Sequence, residues 1–204
     1  IPFYLEGHEL VCQISDFFVR SESVCYELGT SLGDLTSKLC IHHHHRSNVK
    51  WVAIDNELEM IEKAKTRHQN ANIQFVHADG CLFDFQKSDF IVAYYTVQFV
   101  QPRLRQELIN KLYEALNWGG ALLMFEKVRG ADARFQDILT SLYTDFKLEN
   151  GYTSDQILAK SRSLKGILEP FSTQGNLDLL TRAGFKDVMT VMKYLCFEGF
   201  LAIK

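Results

Sequence analysis

The sequence lacks the features of several classes of protein. None of its apolar runs approaches the roughly 18 residues of a membrane span, so we expect no membrane association. The net charge is −3, so there is no general basic field for a nucleic acid, and we expect no direct nucleic-acid binding. With three prolines and 12 glycines, the chain has no linker or low-complexity tract. These absences predict one domain over residues 1–204.

Cysteine pairs with metal-binding spacing are absent as well. The five cysteines are scattered, odd in number, and form no C-x-x-C motif. This pattern argues against a disulfide framework or a zinc site, and it indicates reduced thiols in a cytoplasmic protein. In the run HHHH (42–45), no two histidines have the usual ligand spacing. The run is more typical of a solvated helix end, where imidazoles favour the negative end of the helix dipole, and we expect no metal.

Apolar runs of strand length alternate with helical patterns through residue 127. Strands are predicted at 24–29, 49–55, 73–79, 90–96 and 121–127. Helices are predicted at 33–41, 57–69 and 103–117. The segment NWGG (117–120) is expected to end the last of these helices and to turn the chain into the fifth strand. Nearly all-apolar strands that alternate with helices indicate a parallel sheet covered on both faces.

After residue 127 the alternation stops. Three helices are predicted at 131–150, 154–168 and 175–185, and residues 187–204 are typical of two strands around a tight turn. A parallel core followed by a late helical insert and a closing strand pair predicts a Rossmann-like methyltransferase fold. We expect an α/β domain with a mostly parallel seven-stranded sheet and helices on both faces. A dinucleotide dehydrogenase would more often continue its alternation.

The turn after the first strand, within CYELGTSLGDLTSKL (25–39), contains two glycines four residues apart. Gly29 can adopt a positive φ and lets a ligand approach the backbone, and Gly33 would let the next helix pack closely on the sheet. Thr30 and Ser31 replace the close second glycine of the dinucleotide-binding fingerprint. Taken alone, the two glycines are as consistent with a purely structural strand-to-helix turn as with a cofactor site.

Three acidic residues fall at or near three successive strand ends. Glu27 precedes the turn, Asp55 ends the second strand and Asp79 ends the third. They would converge on the edge where open parallel sheets bind ligands. Carboxylates there can accept from ribose hydroxyls, an adenine amine and a cationic amino acid, and they repel phosphate, so S-adenosylmethionine is the favoured cofactor. The alternative is that each acid caps the helix that follows it.

The expected cofactor contacts follow from counting donors and acceptors. Asp55 would accept from both ribose hydroxyls, with Asn56 beside the adenine. Asp79 would accept from the adenine amine, and the Gly80 N–H would face a ring nitrogen. Glu27 and the backbone of the first turn glycine would hold the methionyl amino end.

Segments along almost the whole chain resemble carboxy-S-adenosylmethionine synthases. They are IPFY, YELGTSLG, AIDNELEMIEKA, YYTVQFVQPRLRQELINKLYEALNWGGALLMFEK, DFKLENGYTSDQI and LTRAGF. The late segment with DFK and NGY is more specific than the generic methyltransferase motifs. The resemblance implies a homodimer that converts S-adenosylmethionine and prephenate into a carboxylated cofactor, which is used to modify the wobble uridine of tRNA.

The resemblance implies cofactor contacts at Tyr4, Gly29, Asp55, Asn56 and Asp79. The chain departs from the family at two positions. The family's asparagine at the end of the fourth strand is Tyr94 here, and its late arginine, which pairs with the added carboxylate, is Ser161, followed by Arg162. One residue turns a helical side chain by ~100°, so Arg162 would point in another direction. Serine does not replace the charge of a guanidinium.

We therefore interpret the chain as an S-adenosylmethionine-dependent methyltransferase that acts on a small molecule, with S-adenosylmethionine or a carboxylated derivative as its cofactor. Attack on a sulfonium carbon needs mainly alignment and the exclusion of water. The candidate catalytic residues are Tyr4, Tyr94, Tyr152 and Arg162. Further pocket candidates are Tyr95, Gln98, Lys127 and Tyr143.

Two alternatives stay open. In the first, the chain carries out the family's own reaction with Arg162 on the carboxylate, or another reaction on the cofactor such as an intramolecular displacement that releases methylthioadenosine. In the second, it is an inactive cofactor-binding scaffold.

Overall fold

The computed structural model describes residues 1–69 and 71–204. The elements follow in the order α1 (Tyr4–Ser15), β1 (Val24–Leu28), α2 (Asp34–His42), β2 (Lys50–Asp55), α3 (Leu58–Arg67), β3 (Ile73–His77), β4 (Ser88–Tyr94), α4 (Pro102–Ala115), β5 (Leu116–Lys127), α5 (Ala133–Glu149), α6 (Ser154–Ser163), α7 (Thr173–Ala183), β6 (Asp187–Tyr194) and β7 (Phe197–Ile203). None of these helices combines the length and the apolar character that a membrane span requires.

The strands form one sheet in the order β3-β2-β1-β4-β5-β7-β6. β1 to β5 are parallel, and β7 runs antiparallel to both β5 and β6. The predicted Rossmann-like α/β fold, with its mostly parallel seven-stranded sheet, is therefore confirmed. The chain moves outward from β1 to β3 and then returns to β4 on the other side of β1. This reversal opens a crevice at the carboxyl ends of β1 and β4, where such sheets bind ligands.

Apolar side chains cover both faces of the sheet. One core cluster lies between the sheet and α4 and α7, and includes Leu112 and Leu180. The other lies between the sheet and α1 and α2, and includes Val11 and Leu39. Alternate residues of each strand enter opposite clusters because successive strand side chains point to opposite faces. The sheet is consequently buried on both sides, as its apolar strands predict.

The structure differs from the predicted elements at one boundary and adds one helix. The segment 117–120 does not form a turn, because α4 ends at Ala115 and β5 begins at Leu116, which pairs with Ser88. Within this segment Gly119 has φ +77°, and its N–H donates to the carbonyl of Lys204. Helix α1 was not predicted at all. It packs beside α2, and its first residues lie near the end of β4.

The histidine run is only partly a solvated helix end. α2 ends at His42, but His43 is buried and stacks on Trp51 with ring centroids 5.7 Å apart. Burial lowers the pKa of His43 to about 4. The expectation of a charged, solvated imidazole is therefore wrong for this residue, because a neutral ring avoids the cost of burying a charge.

The turn between β1 and α2 is a tightly packed corner. Gly29 has φ +74°, and an added Cβ would lie 2.9 Å from Cβ of Thr96 and closer still to the other side-chain atoms of that threonine. The N–H groups of Gly29 and Thr30 both donate to the carbonyl of Ile54. At Gly33, with φ +78°, a Cβ would lie 2.7 Å from the ring of Phe75. Both glycines are thus required by packing, as expected for the second of them.

We predict that Gly29→Ala lowers the free energy of unfolding by about 1–3 kcal/mol more than Gly119→Ala does. The two glycines have nearly the same positive φ, so both substitutions carry similar backbone strain. At Gly119, however, a Cβ meets nothing within 4 Å. Urea unfolding of both variants measures the difference. Equal losses would show that Thr96 moves aside without cost.

Candidate functional site

A cavity of about 1610 Å³ opens at the carboxyl ends of the central strands and extends beneath α1, α5 and α6. Most of the residues predicted from the sequence line it: Tyr4, Glu27, Gly29, Asp55, Asn56, Tyr94, Tyr152 and Arg162. Asp79 and Gly80 are not among its described lining residues. The structure therefore brings together the predicted residues of β1, β2, β4 and the helical insert.

Glu27 is a buried carboxylate at the carboxyl half of β1. Its Oε2 accepts from the hydroxyl of Thr30 at 2.9 Å, from the N–H of Thr36 at 2.9 Å, and from the Thr36 hydroxyl. Burial raises its pKa to about 7, against the opposing effect of these hydrogen bonds, and the charge of Asp55 adds to the rise. Among the described residues no hydrogen bond engages Oε1, which leaves one carboxylate oxygen for a ligand.

Asp55 connects the two loops at the end of β1 and β2. Its Oδ2 accepts from the N–H of Ser31 at 2.8 Å, and its Oδ1 accepts from the N–H of Glu57 at 2.9 Å. The second contact is a turn two residues long before α3, whose N-cap is Glu57 and has no side-chain cap, so Asp55 does not cap that helix. Each oxygen keeps a second lone pair, and the predicted contact with two ribose hydroxyls stays compatible with this geometry.

Asp79 lies outside this group. β3 ends at His77, and the Asp79 carboxylate accepts from the N–H of Cys81 at 2.8 Å in the exposed segment that follows. Gly80 packs against the side chain of Leu28, where a Cβ would overlap Cδ1. Glu27 and Asp55 therefore line the cavity together, whereas Asp79 follows β3 at the same sheet edge without being among the described lining residues. A contact of Asp79 and Gly80 with adenine stays a prediction.

Aromatic rings form the wall beside β4. Tyr94 and Tyr4 meet edge to face at 5.1 Å, and Tyr4 and Tyr95 are stacked at 6.3 Å. The Tyr94 hydroxyl donates to the carbonyl of Tyr4 at 2.7 Å, so it fixes the start of α1. Burial raises the pKa of all three phenols, and they stay protonated at neutral pH. These rings offer faces for a sulfonium through cation–π contact.

His8 belongs to the same aromatic wall, and it was not predicted from the sequence. It lies one helical turn after Tyr4 on α1, with ring centroids 4.9 Å from both Tyr4 and Tyr94. It is buried and lines the cavity, and its two ring nitrogens have no hydrogen-bond partner among the described residues. Burial lowers its pKa to about 4, so the ring is neutral. No strand or turn motif marked this residue, because α1 itself was not predicted.

Two lysines form a cationic part of the cavity wall. Lys127 ends β5, and Lys147 lies on α5, with their Nζ atoms 5.2 Å and 4.5 Å from the ring centroid of Tyr143. In the described part of the chain, no carboxylate lies within 4.0 Å of either Nζ. Burial, with the charge of Lys127, lowers the pKa of Lys147. Lys127 and Glu126 form no ion pair among the described residues, and the buried Glu126 accepts instead from the N–H of Val97.

Helix α6 and the loop before it form the outer wall. Tyr152 precedes α6 and is exposed, and both Ser161 and Arg162 line the cavity. α6 begins with a capping box in which Thr153 and Gln156 bond each other's backbone. All residues of α5 and α6 are described, and none of them is buried. The insert therefore covers the cavity without entering the core.

The donors and acceptors around the cavity fit S-adenosylmethionine. The free Oε1 of Glu27 suits an ammonium group, and Asp55 suits hydroxyl donors. The aromatic wall beside β4 suits a sulfonium. Two carboxylates beside the first turn disfavour a pyrophosphate there.

Comparison with known proteins points to the same ligand. A family model for a methyltransferase domain matches residues 26–120. The carboxy-S-adenosyl-L-methionine synthase of Staphylococcus epidermidis is 35% identical over 204 residues, which are 100% of this chain and 89% of that protein. The synthase of the same name from Campylobacter jejuni subsp. jejuni is 37% identical over 207 residues, with 100% of this chain and 86% of the relative covered.

Solved structures with low identity show the same fold. A methyltransferase from Methanosarcina mazei has a TM-score of 0.68 at 15% identity, over 94% of this chain and 96% of that one. Human N-acetylserotonin methyltransferase, solved with S-adenosylmethionine, has a TM-score of 0.61 at 16% identity, over 98% of this chain and 55% of that one. The chain thus shares the fold of these two proteins.

We predict that S-adenosylmethionine affinity falls about tenfold per pH unit below pH 7, because Glu27 must lose its proton to pair with the ligand's ammonium group. Calorimetric titration between about pH 5.5 and pH 8.5 measures this slope. Glu27→Gln should weaken binding at high pH and flatten the slope. Glu62→Gln, at an exposed position on α3, is the matched control. An unchanged slope in Glu27→Gln would contradict the assignment.

Proposed function

Because the chain belongs to the carboxy-S-adenosyl-L-methionine synthase family, we propose that it converts S-adenosylmethionine into its carboxylated derivative. The donor acid loses its carboxyl group as carbon dioxide and its ring hydroxyl as hydroxide, so that its ring becomes aromatic. One C–H bond of the sulfonium methyl group breaks, its proton leaves with the hydroxide as water, and the methylene carbon forms a C–C bond to the carbon dioxide. The carboxyl source is an acid such as prephenate, as the family resemblance implies. This proposal takes precedence over the interpretation that the chain methylates a separate small molecule.

The observation that carries this proposal is that Lys127 and Lys147 stand together in the cavity wall without a carboxylate partner among the described residues. Carboxylation adds a negative charge to the ligand near its sulfonium, and the co-reactant is itself an anion. Methyl transfer leaves a neutral thioether and requires no cation beside it. Partly buried ammonium groups without a carboxylate partner attract an anionic ligand more strongly than exposed ones do.

The strand order places these two lysines where the added carboxylate of the ligand would lie. β4 lies between β1 and β5, so the end of β5 is about 10 Å from the end of β1. A ligand held by Asp55 and Glu27 at β2 and β1 would then present its sulfonium to Tyr94 at β4 and its added carboxylate to Lys127 at β5. In this arrangement the lysines supply the charge that the family's arginine supplies and that Ser161 lacks. Arg162 lines the same cavity and is a further carboxylate partner.

Methyl transfer is the second candidate. It is favoured by the two departures from the family, at Tyr94 and Ser161, together with the methyltransferase-domain match. In this case the lysines would orient an acidic acceptor molecule. The two functions differ in the product that the cofactor yields.

Mass spectrometry of the reaction products separates the candidates. With S-adenosylmethionine and prephenate, we expect carboxy-S-adenosylmethionine. S-adenosylhomocysteine would support methyl transfer, and methylthioadenosine would support intramolecular displacement. A protein that binds S-adenosylmethionine but turns over none of it, with prephenate present, would be the cofactor-binding scaffold.

We predict that Lys147→Gln lowers the yield of the carboxylated product roughly 10- to 100-fold, because a charged hydrogen bond to the carboxylate is lost. The dissociation constant of S-adenosylmethionine should not change, since Lys147 lies away from Glu27 and Asp55. Lys186→Gln, at an exposed position outside the cavity, is the control. If Lys147→Gln keeps full yield, Lys147 does not hold the carboxylate; if Lys127→Gln keeps it as well, neither lysine does.

The family's homodimer is a further part of the proposal. On α5, Phe135, Ile138 and Leu142 recur at spacings of three and four residues, and each is about half exposed. Such a stripe places apolar side chains on one face of the helix. No described element covers that face, so a second copy of the chain is its proposed partner.

We expect the protein to sediment as a dimer and Leu142→Glu to shift it to monomer, because the substitution places a charge in the contact. Leu82→Glu, which changes an exposed leucine elsewhere, should leave the dimer intact. Analytical ultracentrifugation over a range of concentrations measures both. A monomeric parent protein would overturn the assignment of this face.

A further inference from the structure

A group of metal-ligating side chains lies where α1 and α2 end side by side. Asp16 follows α1, His42 is the last residue of α2, and His43 follows it. The Asp16 Oδ1 is 3.0 Å from His42 Nε2 and 3.9 Å from His43 Nδ1, and the three ligand atoms all lie within 4.8 Å of one another. In a tetrahedral zinc site with bonds of about 2.0–2.1 Å, ligand atoms are ~3.3 Å apart. The group is thus close to the spacing of a metal site.

The orientation of His43 is set by a second hydrogen bond. The Ser15 hydroxyl donates to the carbonyl of Cys12 at 2.6 Å, which uses its only hydrogen. Its contact of 2.7 Å with His43 Nε2 therefore has the imidazole as the donor. With the ring hydrogen on Nε2, Nδ1 carries the lone pair, and this lone pair is on the side of Asp16. Metal-binding histidines are commonly oriented in this way through their other nitrogen.

The Nδ1 atom of His43 has no partner. The side chain is fully buried, and among the described residues no hydrogen bond reaches this nitrogen. A buried acceptor without a donor costs free energy. Here it lies beside a second acceptor, the carboxylate of Asp16, and two acceptors cannot satisfy each other. A cation between them would satisfy both.

We propose that Asp16, His42 and His43 bind a divalent transition-metal ion of the zinc class. The donors are two imidazole nitrogens and one carboxylate oxygen, a set that suits zinc, with water in the fourth position. His42 takes part in the tautomer that carries its hydrogen on Nδ1. The expectation of no metal, drawn from the spacing of the histidines, does not consider Asp16, which is 26 residues away from His42 in the chain.

Arg46 also faces this group. Its Nη2 is 3.8 Å from Asp16 Oδ1, and the guanidinium donates to the carbonyls of Val19 and Asp16. Its charge lowers the affinity for a cation, but the two carbonyls hold it at the side of the carboxylate. Since this contact is with Oδ1, metal binding by Oδ1 would require the guanidinium to turn to the second oxygen, Oδ2, which has lone pairs to accept from it.

The site lies at the opposite end of α1 from the ligand cavity. α1 spans 12 residues from Tyr4 to Ser15, which is about 18 Å of helix. A metal at its end would join α1 to α2 and so stabilise the helix that carries Tyr4 and His8. The metal itself would touch neither the cofactor nor the reacting groups.

The test uses the full chain without a histidine tag, freed of metal by a chelator. We expect calorimetry with zinc chloride to show one site per chain, and cobalt(II) to give the visible absorption of a four-coordinate complex. Asp16→Asn and His42→Gln, both at partly or fully exposed positions, should each weaken zinc binding at least tenfold. Zinc should raise the unfolding temperature of the parent chain and not that of the variants.

The control is His45→Gln, which removes a histidine of the same run that is outside the group. It should bind zinc as the parent does. Unchanged S-adenosylmethionine binding confirms that each variant is folded. Absence of stoichiometric binding, equal binding in Asp16→Asn, or loss of binding in His45→Gln would overturn the proposal.

Discussion

The buried carboxylate of Glu27 joins the sheet, the first turn and α2. A carboxylate in the protein interior is costly unless donors surround it, and here the donors come from the turn and from the N-terminal part of α2. Satisfying this one oxygen requires Thr30 and Thr36 to be at defined positions, which fixes the path of the chain between them. The crevice beside β1 depends on that path. The other oxygen of the same carboxylate is then available to a ligand.

The cavity separates charge along the sheet. Its acidic part lies at β1 and β2, where Glu27 and Asp55 face a cationic or hydroxyl-bearing ligand. Its cationic part lies at β5 and α5, with Lys127 and Lys147, and aromatic rings lie between the two parts. A zwitterionic ligand longer than an amino acid fits this polarity in one direction only. The orientation of the cofactor would thus be set by electrostatics as well as by shape.

Features that depend on strand periodicity could be predicted from the sequence. The five parallel strands, the closing pair and two of the three acids are where the pattern placed them, because strand ends in a parallel sheet share one edge. Asp79 follows β3 at the same edge, since the N–H of Ala78 donates to the carbonyl of Asp55, but its carboxylate is satisfied locally by the N–H of Cys81. His8, His43 and Lys147 could not be assigned from the sequence. Their roles arise from contacts between distant elements, and a lone histidine or lysine carries no periodic signal.

The two helices of the insert, α5 and α6, differ from the other helices in how they pack on the rest of the molecule. α6 satisfies its own first turn through the Thr153–Gln156 capping box, and neither it nor α5 has a buried side chain. α5 adds only the partly buried Leu139 and Tyr143 to the second core cluster, so the insert packs against the core without any fully buried side chain. Such a segment has a low local free energy of opening. Its amide hydrogens should exchange with solvent well before those of β1 and β4, and a ligand of nucleoside size can enter by displacing the insert as a unit.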